Sequence, residues 1–212
     1  MISFLRQFEE RVDCRFLGKN DDREIVDPYV RLHQVHGNTT IVARQPMLST
    51  EQADGVITDA VGLPLAIRAA DCQNFAVYAP EAHVGGVLHA GWSGMIQEAM
   101  PAFFDRLKAE FGVDARDCYV AAGPSLCLEC AEYKDPEFEL RQKVDSQYVV
   151  DGHVDLQKIA TDQLVKLGIH SDHIERHPDC TRCHSEKYLT YRGGDRAQVQ
   201  SGVSNILVLT LL

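Results

Sequence analysis

The chain has 212 residues, of which 45% are hydrophobic and 25% charged, and its formal net charge is −10. This length and composition are typical of one globular domain with a sizeable buried core, here spanning residues 1–212. The acidic balance argues against a nucleic-acid partner, because phosphate backbones are bound by clusters of Lys and Arg.

Residues 1–28 are charged and weakly patterned, and they predict a helix or an irregular lead-in. Charges at Arg6, Glu9, Glu10 and Arg11 interrupt any apolar run, so we expect no signal peptide. No later stretch approaches the roughly 18 apolar residues that a membrane span needs. We therefore expect a cytoplasmic protein without a membrane partner.

Short strand-like segments dominate from Tyr29 onwards. They are rich in β-branched and apolar residues and are separated by Gly, Asp, Asn or Pro. The segments read YVRLHQVH, TTIVA, DGVITD, LPLAIRA, NFAVYA and HVGGVLHA. Six such segments in about sixty residues predict a sheet-dominated core, mostly antiparallel.

Helical spacing of apolar residues first becomes clear between Met95 and Phe111, where Pro101 predicts a kink or a break near Met100. The later segments CYVAAG, HIERH, KYLTYR and NILVLTLL predict strands.

Two further helices and a hairpin are expected in the second half of the chain. One helix is predicted over residues 136–144, and a hairpin is predicted around Asp151-Gly152. A second helix is expected to begin at the N-cap Asp155 and to end at Gly168. Together with the strands, these elements predict one α+β domain.

Three blocks place a metal-competent side chain near the end of a predicted strand. They are LHQVHG with His36, AADC with Cys72 and LHAGWSG with His89. A thiolate and two imidazoles suit Zn²⁺, and three protein ligands leave a fourth position for water, whose pKa zinc lowers to about 7. Without metal, the same residues fit a nucleophilic Cys activated by a His. Because the three lie far apart in sequence, only the fold can join them.

The two His of the first block are not expected to share one metal. In a strand, residues three apart point to opposite faces, so an extended LHQVH separates His33 from His36. A helical segment would instead bring them together.

Two CxxC pairs form a second cluster of candidate ligands, Cys127 with Cys130 and Cys180 with Cys183, and His184 lies beside it. This spacing fits a structural zinc site, but a set of buried or half-buried thiols near the active site is the favoured interpretation. A third candidate is the segment TYRGGDR, in which Tyr191 and Arg192 precede two glycines. An Arg there can hold a phosphate or carboxylate, or it can be a solvated residue of a hairpin turn.

In order along the chain, the motifs HQVHG, ADGVITD, ADC, HAGW-x-G, AAGPSL, CT-x-C and YRGG resemble the laccase-domain family. Its members are known variously as polyphenol oxidases, purine nucleoside phosphorylases and peptidoglycan editing factors. The resemblance implies a single α+β domain with a layered, mixed β-sheet core flanked by helices, similar to toxin-type cysteine hydrolase domains. It also implies that His36, Cys72 and His89 form a catalytic trio that binds zinc, or alternatively copper.

The resemblance implies phosphorolysis of adenosine, inosine, guanosine and methylthioadenosine, together with deamination of adenosine. The implied partners are a purine nucleoside and phosphate, in a monomer or homodimer, with Arg192, Tyr191 and Ser93 as the substrate-binding residues. Ser93 stands where family members usually carry Arg, which removes a guanidinium from this part of the site.

Three other functions remain open. The first is amide cleavage on a peptidoglycan precursor by a cysteine or zinc amidase. The second is copper-dependent polyphenol oxidation. Copper clusters of the usual multicopper oxidases need about ten His, many in H-x-H pairs, whereas this chain has nine His and no such pair, which argues against this function. The third is metal binding without catalysis.

Overall fold

The computed structural model describes residues 1–22, 28–136 and 143–212. Within them, two six-stranded sheets pack face to face, and helices cover the outer face of the second sheet. This arrangement confirms the expected α+β class with a layered, mixed sheet core. Within the described ranges, no helix has both the length and the apolar character needed to span a membrane.

The first sheet contains the two ends of the described chain. Its strands in spatial order are β1 (Ile2–Phe4), β2 (Val12–Leu17), β14 (Asn205–Leu211), β7 (Leu65–Ala69), β3 (Val30–His33) and β5 (Met47–Gln52). The C-terminal strand β14 lies between β2 and β7 and is antiparallel to both. Its almost continuous burial explains why NILVLTLL reads as a buried strand.

The second sheet lies between the first sheet and the helices. Its strands in spatial order are β13 (Ile174–Arg176), β10 (Tyr119–Ala122), β8 (Gln73–Ala79), β9 (Val84–Ala90), β6 (Gly55–Thr58) and β4 (Thr40–Val42). A small hairpin of β11 (Val149–Val150) and β12 (His153–Val154) turns at Asp151-Gly152, as predicted. Each of the six segments between Tyr29 and Ala90 contains a strand, and antiparallel pairings outnumber parallel ones.

The prediction of a helix or irregular segment over residues 1–28 is wrong for much of that range. Strands β1 and β2 form an antiparallel pair there, with a short 3-10 turn between them. In β2, Val12, Cys14 and Phe16 alternate with half-buried Asp13 and Arg15, so one face of the strand packs into the core between the sheets. The charged run just before Val12 obscures this period-two pattern.

Gly85 and Gly86 in β9 let neighbouring layers pack closely against both faces of the second sheet. A Cβ on Gly85 would lie 2.6 Å from Cδ2 of Leu209 in the facing sheet. A Cβ on Gly86 would lie 2.7 Å from Cζ of Phe103 on the helix side. Since neither neighbour is free to give way within a packed core, larger residues here would separate the layers.

Among the described residues, the α-helices are α1 (Trp92–Ile96), α2 (Ala99–Phe111), α3 (Leu156–Lys166) and α4 (Arg196–Gln200). The break expected near Met100 falls at Glu98, which is left-handed with φ 62°. Pro101 lies in the first turn of α2, where its missing N–H costs no helical hydrogen bond.

The third helix, α3, begins and ends as predicted. The Asp155 carboxylate accepts the Lys158 N–H at 2.9 Å as an N-cap, and Gly168 follows the helix with φ 97°. The helix predicted over residues 136–144 lies largely outside the described residues.

The strand predicted for KYLTYR is wrong, because residues 187–192 form turns and irregular chain. The buried side chain of Asn205 explains the difference. It accepts the Leu189 N–H at 2.8 Å and donates to the carbonyls of Leu189 and Ala69, both at 2.8 Å. The two bonds to Leu189 satisfy backbone groups that a strand ladder would otherwise pair.

Candidate metal centre and substrate cleft

The fold brings together His36, Cys72 and His89, which lie on three different segments. His36 follows β3, Cys72 lies between β7 and β8, and His89 is near the end of β9. Their ligand atoms all lie within 4.8 Å of one another. The two imidazole rings are nearly perpendicular, at 88°, with their centroids 4.8 Å apart.

Asp54 organises two of these three ligands from one buried position. Its carboxylate meets Nδ1 of His89 at 2.8 Å and is fully buried. It also accepts the backbone N–H groups of Val35, His36 and Gly37 at 3.2, 3.0 and 2.7 Å. These bonds hold His36 with φ 59°, a left-handed conformation that a non-Gly residue seldom adopts without such support.

The donor set fits a zinc ion. Because Asp54 engages Nδ1 of His89, the Nε2 atom is left to bind a metal, in the carboxylate–histidine arrangement usual around zinc. One thiolate and two imidazoles give three ligands and leave a coordination position for a substrate or water.

Charge coupling within the cluster favours the ionised thiol. Burial opposes ionisation of Cys72, but the charges and hydrogen bonds of His89 and His36 outweigh it and lower the pKa of Cys72 to about 6. Burial likewise opposes protonation of His89, and the Cys72 and Asp54 charges raise the pKa of His89 to about 9. This coupling favours a thiolate–imidazolium pair of Cys72 and His89 near neutral pH in the metal-free protein.

Gly91 permits the close approach of the ligands. A Cβ at this position would lie 3.0 Å from Sγ of Cys72 and 3.1 Å from Cδ2 of His36. Such contacts are tighter than van der Waals separation, so any side chain at residue 91 would press on two of the three ligands.

The trio lines a cleft of about 610 Å³, a size typical of sites for small molecules. Apolar and aromatic side chains form part of its wall, contributed by Trp92, Leu126, Tyr133, Leu156 and Tyr191. Two guanidinium-bearing residues, Arg68 and Arg192, also line it. The cleft thus combines flat apolar surface, positive charge and a cluster of metal-binding side chains.

The structure places two of the three residues predicted to bind substrate in the lining of the cleft. Tyr191 and Arg192 line the cleft. The Arg192 guanidinium donates to the carbonyls of Cys130 and Glu132 and lies 4.9 Å from the centroid of the Tyr133 ring. Ser93 lies on α1, where its hydroxyl accepts a hydrogen bond from Gln97 at 2.8 Å, and it is not among the described residues that line the cleft.

Sequence reasoning assigned no role to Asp54 or Arg68. Asp54 belongs to the quoted motif ADGVITD, but its function depends on a turn and a strand that only the fold places beside it. Arg68 interrupts the otherwise apolar strand LAIRA, and this charge in a buried strand is a signal that could have identified it.

The sequence matches the family of multi-copper polyphenol oxidoreductase laccases over residues 19–208, so the chain belongs to that family. The resemblance noted from the ordered motifs is thereby confirmed.

Curated relatives of this family carry names of purine-converting enzymes. The chain is 32% identical to a purine nucleoside phosphorylase of Streptomyces coelicolor, covering 79% of this chain and 71% of that protein. It is 26% identical to a purine nucleoside phosphorylase of Bacteroides thetaiotaomicron, covering 85% and 69%. An adenosine deaminase from an unknown prokaryotic organism is 26% identical, covering 72% and 60%.

Solved structures share the fold. The YfiH protein of Bacillus licheniformis superposes with a TM-score of 0.82 at 19% identity, covering 98% of this chain and 95% of that chain. The YlmD protein of Geobacillus stearothermophilus superposes with a TM-score of 0.74 at 24% identity, covering 87% and 74%.

Proposed function

We propose that this chain is a metal-dependent purine nucleoside phosphorylase that also deaminates adenosine. The observation that carries the proposal is the convergence of His36, Cys72 and His89 in a cleft with both aromatic and guanidinium-bearing walls. The names of its relatives support the same substrate class.

The apolar part of the cleft suits a purine base. Trp92, Tyr133 and Tyr191 line it and offer aromatic surface, which packs well against a flat heterocycle. Leu126 and Leu156 add apolar surface on which a base can be shielded from water.

The basic part of the cleft suits phosphate. Arg68 and Arg192 bring two guanidinium groups to a protein whose net charge is −10. Burial, and then the neighbouring Arg31, lowers the pKa of Arg68 from its ordinary value, yet a guanidinium stays protonated at neutral pH. In this proposal Arg68 supplies the positive charge that Ser93 cannot.

Phosphorolysis needs only the nucleoside and phosphate, and deamination needs only adenosine and water. In phosphorolysis a phosphate oxygen bonds to the ribose C1′ while the glycosidic bond breaks, and the purine leaves with the bonding electrons. In deamination water replaces the amino group at C6 of adenine, and ammonia leaves. A zinc ion held by the trio would supply Lewis acidity in the cleft. Asp54 keeps His89 oriented, and the cleft walls hold the nucleoside.

The test is incubation of purified, zinc-loaded protein with adenosine, with and without phosphate. We expect inosine in both cases, and adenine with ribose-1-phosphate only when phosphate is present. Inosine, guanosine and methylthioadenosine extend the substrate panel. Cys72→Ala is expected to abolish every product, whereas Cys118→Ala, which removes a buried thiol outside both cysteine-containing clusters, should retain activity. Product levels no higher than those of Cys72→Ala would disprove the proposal.

One observation favours a second candidate, a cysteine amidase. Cys72, His89 and Asp54 form a thiol–imidazole–carboxylate series, and the lowered pKa of Cys72 suits a nucleophile. Incubation with a UDP-muramyl amino acid after chelation separates the two candidates. Amide cleavage that survives chelation and is lost in Cys72→Ala would favour the amidase.

A further inference from the structure

Four cysteines form a second cluster, apart from the His36–Cys72–His89 trio. Cys127 precedes and Cys130 ends a 3-10 turn after β10, and Cys180 and Cys183 lie at the start of and within the turn that follows β13. The sulfur atoms of all four lie within 4.8 Å of one another. The two CxxC segments are therefore adjacent in space, although 49 residues separate Cys130 from Cys180 along the chain.

The spacing of the sulfurs matches a tetrahedral metal site. Zinc binds thiolates at about 2.3 Å, and a tetrahedron of that size separates its sulfurs by about 3.8 Å. Here Sγ of Cys183 lies 3.5 Å from Sγ of Cys130 and 3.9 Å from Sγ of Cys127. One ion at the centre of the cluster would thus reach all four ligands with little movement of the backbone.

The surroundings of the cluster also suit thiolates. The backbone N–H of Cys127 points at Sγ of Cys180, with the nitrogen 3.3 Å from the sulfur. An N–H donor of this kind stabilises the negative charge that a bound thiolate retains. Cys130 and Cys180 are buried, whereas Cys183 is exposed, so solvent can deliver an ion from that side.

A disulfide explains the arrangement less well. One disulfide would join two of the four sulfurs at about 2.05 Å and leave the other pair free, and two disulfides would need a definite pairing of the four. Cys183 is nearly as close to Cys127 as to Cys130, so the geometry favours neither pairing.

We propose that Cys127, Cys130, Cys180 and Cys183 bind one zinc ion in a structural site, separate from the metal site of the trio. Binding replaces the thiol protons with the metal, and four protein ligands leave no position for substrate. The proposal does not depend on which reaction the cleft catalyses.

The site would fasten together two segments that form a wall of the cleft. The first segment carries Leu126, whose N–H donates to the carbonyl of Asp71 at 3.1 Å. The second carries Thr181 and Arg192, whose hydroxyl and backbone N–H each donate to the Asp71 carboxylate at 2.7 Å. Asp71 precedes Cys72, so the four-cysteine site is linked to the trio through one residue.

Metal content measures the site directly. Protein purified under reducing conditions and loaded with zinc is expected to retain two equivalents after gel filtration. The paired variant Cys127→Ser with Cys183→Ser should retain one, and the paired variant His36→Ala with His89→Ala should also retain one. Cys118→Ala serves as the matched thiol control and should retain two.

Cobalt distinguishes the sites even where the cysteine variant folds poorly. In the His36→Ala, His89→Ala protein, added Co²⁺ should give the intense visible bands and sulfur charge-transfer absorption of a tetrahedral four-thiolate site. Zinc should displace that spectrum. Equal zinc content in the wild-type protein and in the Cys127→Ser, Cys183→Ser variant, or no four-thiolate spectrum in the His36→Ala, His89→Ala variant, would overturn the proposal. Disulfides among these cysteines would also overturn it, if intact mass detects them in freshly isolated protein and they form even in the presence of zinc.

Discussion

The Asp54 carboxylate reaches Nδ1 of His89 at 2.8 Å while it also holds the backbone N–H of His36 at 3.0 Å. One buried side chain therefore sets the ring orientation of one proposed metal ligand and the backbone conformation of another. The site depends on this residue although it supplies no ligand atom to the trio.

We predict that Asp54→Asn weakens zinc binding at the trio roughly 10- to 100-fold, the usual cost of losing an outer carboxylate. The amide loses the charge that stabilises His89, and its NH₂ group cannot accept the turn N–H groups. Competition with a metallochromic chelator measures the affinity. Asp59→Asn is the matched control, because Asp59 is an exposed carboxylate paired with Arg44. Equal affinities for the two variants would contradict the prediction.

Gly91→Ala should disturb the trio while leaving the core intact. The added Cβ would lie 3.0 Å from Sγ of Cys72 and 3.1 Å from the His36 ring, so one of them must move. We expect zinc affinity to fall at least about tenfold, which corresponds to about 1.4 kcal/mol, within the usual cost of overpacking. Gly37→Ala makes a useful comparison, since a Cβ there finds its nearest neighbours at 3.6 Å. A loss in Gly37→Ala as large as in Gly91→Ala would refute this steric argument.

In metal-free protein, Cys72 should react with iodoacetamide as a thiolate down to about pH 6. Its pKa is lowered to about 6, so the thiolate is present above that pH and reactivity declines only as the pH falls through it. An ordinary thiol would lose reactivity already below about pH 8.5. Peptide mapping by mass spectrometry follows the label, and added zinc should protect the residue. Burial raises the pKa of Cys118 to about 12, so this thiol should stay unlabelled throughout. A midpoint near pH 8.5 for Cys72 would show that the coupling to His89 is absent.

The sequence indicated His36, Cys72 and His89 as candidate ligands because each lies at or near the end of a predicted strand with Gly or Asp within two residues, a local pattern. It could not predict the role of Asp54, because the carboxylate forms its hydrogen bonds with residues that lie 17 to 35 positions away in the sequence. For the same reason, the sequence could not show that the two CxxC pairs lie next to each other in space. Their spacing alone favours plain thiols over a metal site, whereas the fold places the four sulfurs together.

Strand prediction succeeded for the segments between Tyr29 and Ala90, and it failed for β2 and for KYLTYR. In β2 the alternation of Val12, Cys14 and Phe16 is real but follows a charged turn. In KYLTYR the apolar and aromatic content indicates a strand, yet Asn205 takes the backbone bonds of Leu189 through its side chain. Such a long-range side-chain bond leaves no periodic trace in sequence.

Asn205→Ala tests this substitute for backbone pairing. The change removes the side-chain partner of the Leu189 N–H and of the Leu189 carbonyl in a buried place, and one partner of the Ala69 carbonyl. We expect the free energy of unfolding to fall by about 2 kcal/mol, since each of the two buried Leu189 groups left unpaired costs about 1 kcal/mol or more. Denaturant unfolding measures the loss. Asn20→Ala, which removes an exposed bond to Glu186, should cost about 0.5 kcal/mol or less. Equal losses would mean that the buried bonds add nothing.

Arg68→Gln should separate the two reactions proposed for the cleft. If the Arg68 guanidinium binds phosphate, its loss removes a charge-assisted hydrogen bond of about 1.5–3 kcal/mol. The KM for phosphate in phosphorolysis should then rise roughly 10- to 100-fold. Deamination uses no phosphate, so its rate should change little, and this contrast distinguishes a lost phosphate contact from a damaged fold. Arg44→Gln, an exposed arginine paired with Asp59, should leave both reactions unchanged. Parallel losses of deamination and phosphorolysis in Arg68→Gln would instead assign Arg68 to the architecture of β7, where its backbone N–H and carbonyl already pair with the side chain of Gln34.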